Sequence, residues 1–345
     1  MIRWRPFREL LLARMREALR EPEVIFWAFG FPILLSLALG IAFRNKAPEK
    51  VFVAVEEGTA AAKATFATLV ADARFDARLA SAEECARGLR LGKFAVVVRA
   101  AGGVEFRYDP SRPDSILART LVNDALQRAA GRKDPVAPTD REVSEPGARY
   151  IDFLIPGLLG MNLMSAGMWG VGFVIVDMRT RKYLKRLVAT PMRKAEFLAA
   201  VVASRIVFMV TEVILLLAFG RIAFGMEIRG SLVVTFGLGL LGAFCFAGLG
   251  LLVACRAQKI ETVSGLMNLV MMPMFVCSGT FFSSERFPDF AQPFIKALPL
   301  TALNDALRAV IIEGAGVASQ WARIGVLAAW MVVGAFLSLR WFRWT

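Results

Sequence analysis

The sequence predicts an α-helical polytopic membrane protein with six transmembrane helices and a small α/β extracytoplasmic domain between spans one and two. Three observations predict it. Hydrophobic residues make up 57% of the 345 residues, above the roughly 45–50% of soluble domains. They are blocked rather than dispersed, each block near the length of about 20 residues that a bilayer span needs. The basic residues are also unevenly placed along the chain.

The blocks are Val24–Phe43, Phe153–Val176, Ile206–Phe219, Leu232–Ala254, Val263–Phe282 and Ile324–Leu339. The third is interrupted by Glu212 and flanked by Arg205 and Arg221, which extends that span to Leu198–Phe219. Net charge is +13, yet residues 44–149 hold 18 basic and 15 acidic side chains, so most of the excess lies elsewhere. Met1–Glu23 carries six Lys/Arg and Asp177–Glu196 carries seven. Short basic loops stay in the cytoplasm whereas long ones cross largely regardless of charge. Both termini and residues 177–196 are therefore expected inside, and residues 44–149 outside.

Before the first span, residues 1–23 read as a cytoplasmic interfacial helix: Phe7, Leu11, Met15 and Ala18 recur at helical spacing within Pro6–Arg20, and Pro22 breaks it. The first transmembrane helix is 24–43; its apolar region is too long for a cleaved signal peptide, and no A-x-A site follows. In the outer domain, 44–149, Val51–Val55, Phe94–Val98 and Val104–Tyr108 are strand-like. Ala60–Ala71, Ala82–Leu89 and Ser115–Ala130 have helical composition, which together suggests a small two-layer domain. Arg132–Pro146 is a Pro-rich polar linker. The remainder, 150–345, is expected to be a five-helix transmembrane domain. The glycines of its second and fourth spans supply small packing faces, and Pro273 should kink its fifth span. Residues 283–314 are too polar to span and are read as outer helices that dip back toward the membrane.

Several classes of chemistry are excluded. No histidine is present, which removes His-based triads and the commonest metal ligand. Cys85, Cys245, Cys255 and Cys277 show no paired spacing, so neither metal site nor disulfide framework follows. No G-x-x-x-x-G-K-[ST] string occurs; GLRLGKF at Gly88 has the wrong spacing. The chain is read as no enzyme, with no cofactor of its own and no ATPase site. Nucleic acid is not an expected partner, although RTRKYLKRLVATP (Arg179–Pro191) holds five basic residues and no acid. That stretch lies between two spans, where charge that sets topology beside anionic lipid accounts for much of it.

Three stretches together resemble the membrane subunit of ATP-binding-cassette exporters of the type-2 permease class, in its larger members with an outer domain. KRLVATPMRKAEF (Lys185–Phe197) is similar to that family's cytoplasmic loop, where a short helix ends in Thr-Pro. SGTFFSSERFP (Ser278–Pro288), followed by ALPLTALNDALRAVIIEG (Ala297–Gly314), is similar to its signature between spans five and six. VAVEEGTAAAKATFATLV and YDPSRPDSILARTLVNDAL are similar to its outer domain. One departure stands out: relatives often carry acids before the Thr-Pro helix, and here MRTRKYLKR leaves only Asp177 nearby.

The resemblance implies export of an amphipathic or lipid-like substrate from a bacterial inner membrane. Energy would come from a separate ATPase subunit that holds the ATP and Mg. It also implies a second permease copy or a sister permease, and leaves open a periplasmic adaptor on the outer domain. The residues accommodate this. A short cytoplasmic helix, Arg179–Pro191 within the coupling loop 177–196, would place Tyr183, Leu184 and Leu187 on one face. Lys182, Lys185 and Arg186 would form a basic rim, and Thr190 and Pro191 would end the helix because the residue before proline leaves the α region. Glu212, with Arg205 two turns away, is an intramembrane polar group of either structural or pathway character. Rival readings are an ion-gradient-driven secondary transporter with Glu212 as proton carrier, and a membrane-anchored sensor or scaffold.

Overall fold

The computed structural model describes residues 4–43, 50–133, 135, 147, 149–182 and 194–341. The chain divides into two compact units, Asn45–Val143 and Met1–Arg44 with Ser144–Thr345.

In the larger unit, the amphipathic helix α1 (Trp4–Arg20) ends at Glu21, which leaves the helical region at φ −100° and ψ 94°. Pro22 then starts span 1 at its first helical position, where a missing N–H costs nothing. Among the described residues, six helices are long and apolar enough to cross a membrane: Pro22–Ala42, Tyr150–Thr180, Ala203–Phe224, Leu232–Ala254, Ile260–Cys277 and Val317–Ser338, spans 1 to 6. Each overlaps one of the six sequence blocks.

Spans 2 and 4 form the centre. A Cβ on Gly250 would stand 2.9 Å from the Met168 Cα, so the two backbones touch. This is the close approach expected of small-residue faces, which lets dispersion replace the missing hydrophobic drive inside a bilayer. Span 2 widens to a π-helical stretch, Met168–Phe173, at this crossing. Span 5 runs through Pro273 without a break in its helical assignment.

The smaller unit carries a four-stranded sheet of order β2-β1-β3-β4, where β1 is Val51–Glu56, β2 Phe75–Ala80, β3 Val96–Ala100 and β4 Val104–Arg107. β1 runs parallel to both β2 and β3, in the register Val53↔Ala77 and Val53↔Val96, while β3 and β4 form an antiparallel hairpin. Helices α2 (Ala60–Ala71), α3 (Ala82–Arg90) and α4 (Pro113–Ala129) complete the unit. Val53, Val55, Leu69 and Val122 share one core, and Ala54, Val97 and Cys85 share the other. Central strands covered on both faces read as continuous apolar runs, which is why VFVAV and AVVV signal so clearly. Thr59 caps α2 by accepting from the Ala62 amide, and Ser81 with Glu84 forms a capping box on α3.

Back in the larger unit, the chain between spans 5 and 6 folds inward. Helix α5 (Pro299–Ile311) packs against spans 2, 4 and 6, with Leu300, Leu303, Leu307 and Val310 fully buried.

Candidate functional site

Two polar arrangements are built into the apolar bundle. The first fixes α5. Asn304 donates to the Ser278 carbonyl at 3.0 Å and to Thr280 Oγ1 at 3.2 Å. Arg308, one turn on, donates from Nε to the Phe153 carbonyl at 3.1 Å and from a terminal nitrogen to the Gly279 carbonyl. Its guanidinium lies 3.7 Å from the centroid of the Phe153 ring. Gly279 takes φ +71°, a left-handed conformation that glycine adopts without cost. The turn Ser278–Thr280 is thereby held from two positions on one face of α5. Their signal was present as Asn304, Asp305 and Arg308 grouped on a largely apolar helix.

The second arrangement is a partly open cavity of about 320 Å³ lined by α1 and spans 2, 3, 4 and 6. Its walls are chiefly apolar, and among the described residues the charged groups lining it are Arg14 and Arg205. Arg205 donates to the Gly170 carbonyl at 2.8 Å. Gly170 lies in the π-helical stretch of span 2, a geometry that often marks functional positions. A Cβ there would collide with the guanidinium, so glycine is what admits Arg205. Arg14 reaches the same space from α1 and contacts the Met178 sulfur at 3.5 Å.

Arg205 therefore does not pair with Glu212, the contact suggested by their i, i+7 spacing; no ion pair joins them among the described residues. Glu212 is 4% exposed, and its Oε2 has no hydrogen-bond partner among the described residues. Met209 and Val213, on either side of it, pack toward Gly239 of span 4.

Of the basic stretch 179–191, the structure describes only the beginning. Arg179 and Thr180 belong to the last turn of span 2, and Lys182 is exposed with φ 58°. The Lys182 amide donates to the Arg179 carbonyl at 3.1 Å, so this left-handed residue closes the helix. A separate helix beginning at Arg179 is thus corrected: Lys182 ends span 2 and does not sit within a new helix. Tyr183, Leu184, Lys185, Arg186, Leu187, Thr190 and Pro191 lie outside the described residues. Two of the charges in the stretch have local work. Arg179 donates to the Ala257 carbonyl at 2.8 Å beyond the end of span 4, and Arg181 pairs with Asp177 at 2.8 Å. A cation beside a helix C-terminus is favoured by the exposed carbonyls there.

Among the described residues, six helices long and apolar enough to cross a membrane, with a shorter helix packed between them, define a multi-pass membrane protein. The chain belongs to the ABC-2 transporter family: the model described as "ABC-2 family transporter protein" matches residues 22–340. It is similar to the probable multidrug ABC transporter permease YbhS of Escherichia coli K12, 19% identical over 342 residues that cover 91% of this chain and 90% of that protein. It is also similar to ABC transporter G family member 20 of Dictyostelium discoideum, 23% identical over 227 residues. That match covers 65% of this chain but 31% of the relative, so the chain spans about a third of that protein's length. Nodulation protein J of Bradyrhizobium diazoefficiens is 24% identical over 57% of this chain and 75% of its own.

Proposed function

We propose that this chain is the permease subunit of an exporter in a bacterial inner membrane. It moves an amphipathic or lipid-like substrate outward, with energy from ATP hydrolysed on a separate ATPase subunit. The observation that carries this reading is the family match over residues 22–340, joined to an apolar internal cavity bearing two cations. The similarity to a probable multidrug permease along nearly the whole of both chains supports it.

In this reading the termini and residues 177–196 face the cytoplasm, where short basic segments remain, and the ATPase docks on residues 183–191. Leu184 and Leu187 are its apolar anchors, and Lys185 and Arg186 are the rim that speeds association with an acidic surface. A second permease copy, or a sister permease, completes the pathway. The chain performs no covalent chemistry, and ATP with Mg is held on the partner.

The test is transport of labelled amphiphiles into inside-out vesicles containing the chain and its ATPase subunit. ATP-dependent accumulation supports the reading. Accumulation driven by a proton gradient without ATP would favour a secondary transporter instead.

A further inference from the structure

Span 1 is interrupted by two features of one short stretch. Residues Phe26–Gly30 wind as a π-helix, and Pro32 follows. Proline has no N–H, so the Ala28 carbonyl four residues earlier loses the donor that an α-helix would give it. An unpaired carbonyl inside a bilayer is costly, because no water is there to replace the bond. The donor comes from a neighbouring helix: Nδ2 of Asn162, in span 2, donates to the Ala28 carbonyl at 2.9 Å. Toward Ala42, span 1 packs on span 2 and on the outer end of span 3: Gly40 lies against Ile151 and Phe224, and the Phe43 ring is 4.3 Å from that of Tyr150. On the other side of the interruption, α1 and the π-helical stretch pack on the helix that carries span 3, with the Phe29 ring 6.2 Å from that of Phe208. The two halves of span 1 thus rest on different neighbours and join at a π-turn and a proline, both well-attested places for a helix to bend.

We propose that Ala28–Pro32 is a pivot in span 1 and that Asn162 is its positioning residue. The half of span 1 that begins at Pro22 moves with α1 and span 3, and the half that ends at Ala42 stays with span 2. An amide on a rotatable side chain keeps its bond to the Ala28 carbonyl through a change of angle, since hydrogen bonds tolerate a broad range of directions at a carbonyl oxygen. An N–H fixed in the helix would hold one geometry only. The pivot bears on the cavity from two sides. Asn162 is followed by Leu163 in the cavity wall, and α1 contributes Arg14 to the lining, so a swing of α1 about this point displaces one wall. Hinges of this kind are a few residues that absorb a change of backbone angle, and π-turns are frequent at functional positions. The pivot stands on these contacts; only its use in transport rests on the export reading.

The test is a double-mutant cycle read by pulsed electron paramagnetic resonance on the full chain in nanodiscs. Spin labels sit at Glu9→Cys on α1 and Gln258→Cys beyond span 4, both exposed, in a background without the native cysteines. Asn162→Leu should broaden the distance distribution and lower the melting midpoint, because the Ala28 carbonyl loses a partner. Pro32→Ala gives the helix back its own N–H, so it should narrow the distribution. In that background Asn162→Leu should change neither measurement, since the two sites act through one carbonyl. With the ATPase subunit and ATP added, the wild-type distance should shift and that of Pro32→Ala should not. Equal effects of Asn162→Leu in both backgrounds would make Asn162 a packing contact and overturn the proposal. So would a Pro32→Ala distribution as wide as the wild type's, a result that can be read even where Asn162→Leu does not fold. A cycle as expected, with a wild-type distance that ATP and the ATPase leave unmoved, would support the pivot and sink the export reading.

Discussion

Arg308 meets Phe153 twice, through a 3.1 Å hydrogen bond to its carbonyl and through a guanidinium 3.7 Å from its ring centroid. Span 2 and helix α5 are thus held together at a point where the side chain of Arg308 is only 12% exposed. Charged hydrogen bonds contribute about 1.5–3 kcal/mol, and a desolvated cation–π contact adds about 2 kcal/mol. Arg308→Met should therefore lower stability in detergent by roughly 2–4 kcal/mol, since these terms overlap. Arg308→Lys should fall between, because an ammonium cannot reproduce the fork that reaches Phe153 and Gly279 together. Thermal unfolding followed by size-exclusion chromatography measures both, and an unchanged midpoint for Arg308→Met would remove this role.

Gly160 faces the same arrangement from span 2. A Cβ there would overlap Asn304 Oδ1, and Asn304 cannot easily retreat because its amide is held by Ser278 and Thr280. Gly160→Ala should cost about 1–3 kcal/mol through overpacking. Gly265, in span 5, is a matched control with no heavy atom within 4 Å of its added Cβ. Gly265→Ala should be neutral or stabilising by up to about 1 kcal/mol, from helix propensity alone. Equal effects at the two positions would contradict the packing described.

Much of the fold was legible because its causes are local. Six apolar blocks gave six spans, and VFVAV gave the doubly covered central strand. β2 was missed because FDARLA combines Asp, Ala and Arg, all poor strand formers, and its place at the sheet edge weakens the apolar signal. The cavity was not legible either. It joins residues of α1 and four spans that are distant in sequence, and Arg205 reads as a possible partner for Glu212 until the neighbouring span is in place. The left-handed Lys182 gave no signal because a lysine in a basic run does not look like a helix stop.

Glu212 is expected to be structural. An isolated carboxylate costs free energy inside an apolar bundle, and its Oε2 has no hydrogen-bond partner among the described residues. Glu212→Gln keeps the shape and removes the charge, so assembly should persist and the melting midpoint should not fall. Transport should remain within about twofold of wild type, a change under roughly 0.5 kcal/mol in barrier. Normal assembly with abolished transport would instead place Glu212 on the pathway.

The orientation is tested by single cysteines at Ser111 and Thr180, both exposed, in a background without the native four. Of the native thiols, Cys85 lies in the outer domain, where it is buried and its thiol is pushed up by that burial. An impermeant thiol reagent on intact cells should label the Ser111→Cys variant and spare Thr180→Cys. Labelling of Thr180→Cys alone would invert the orientation.

The central claim, that a separate ATPase drives this permease through the basic loop, is tested most directly by ATP-dependent transport with Leu184→Ala and Leu187→Ala combined. Interface anchors carry most of the binding free energy, often 2 kcal/mol or more each. The double variant should therefore lose the ATPase on purification, or hydrolyse ATP without moving substrate, while inserting in the membrane as the wild type does. Replacing Lys185 and Arg186 by Gln should weaken docking more moderately. A double alanine variant that retains its ATPase and transports at the wild-type rate would contradict the account and leave residues 183–191 as charge that sets topology.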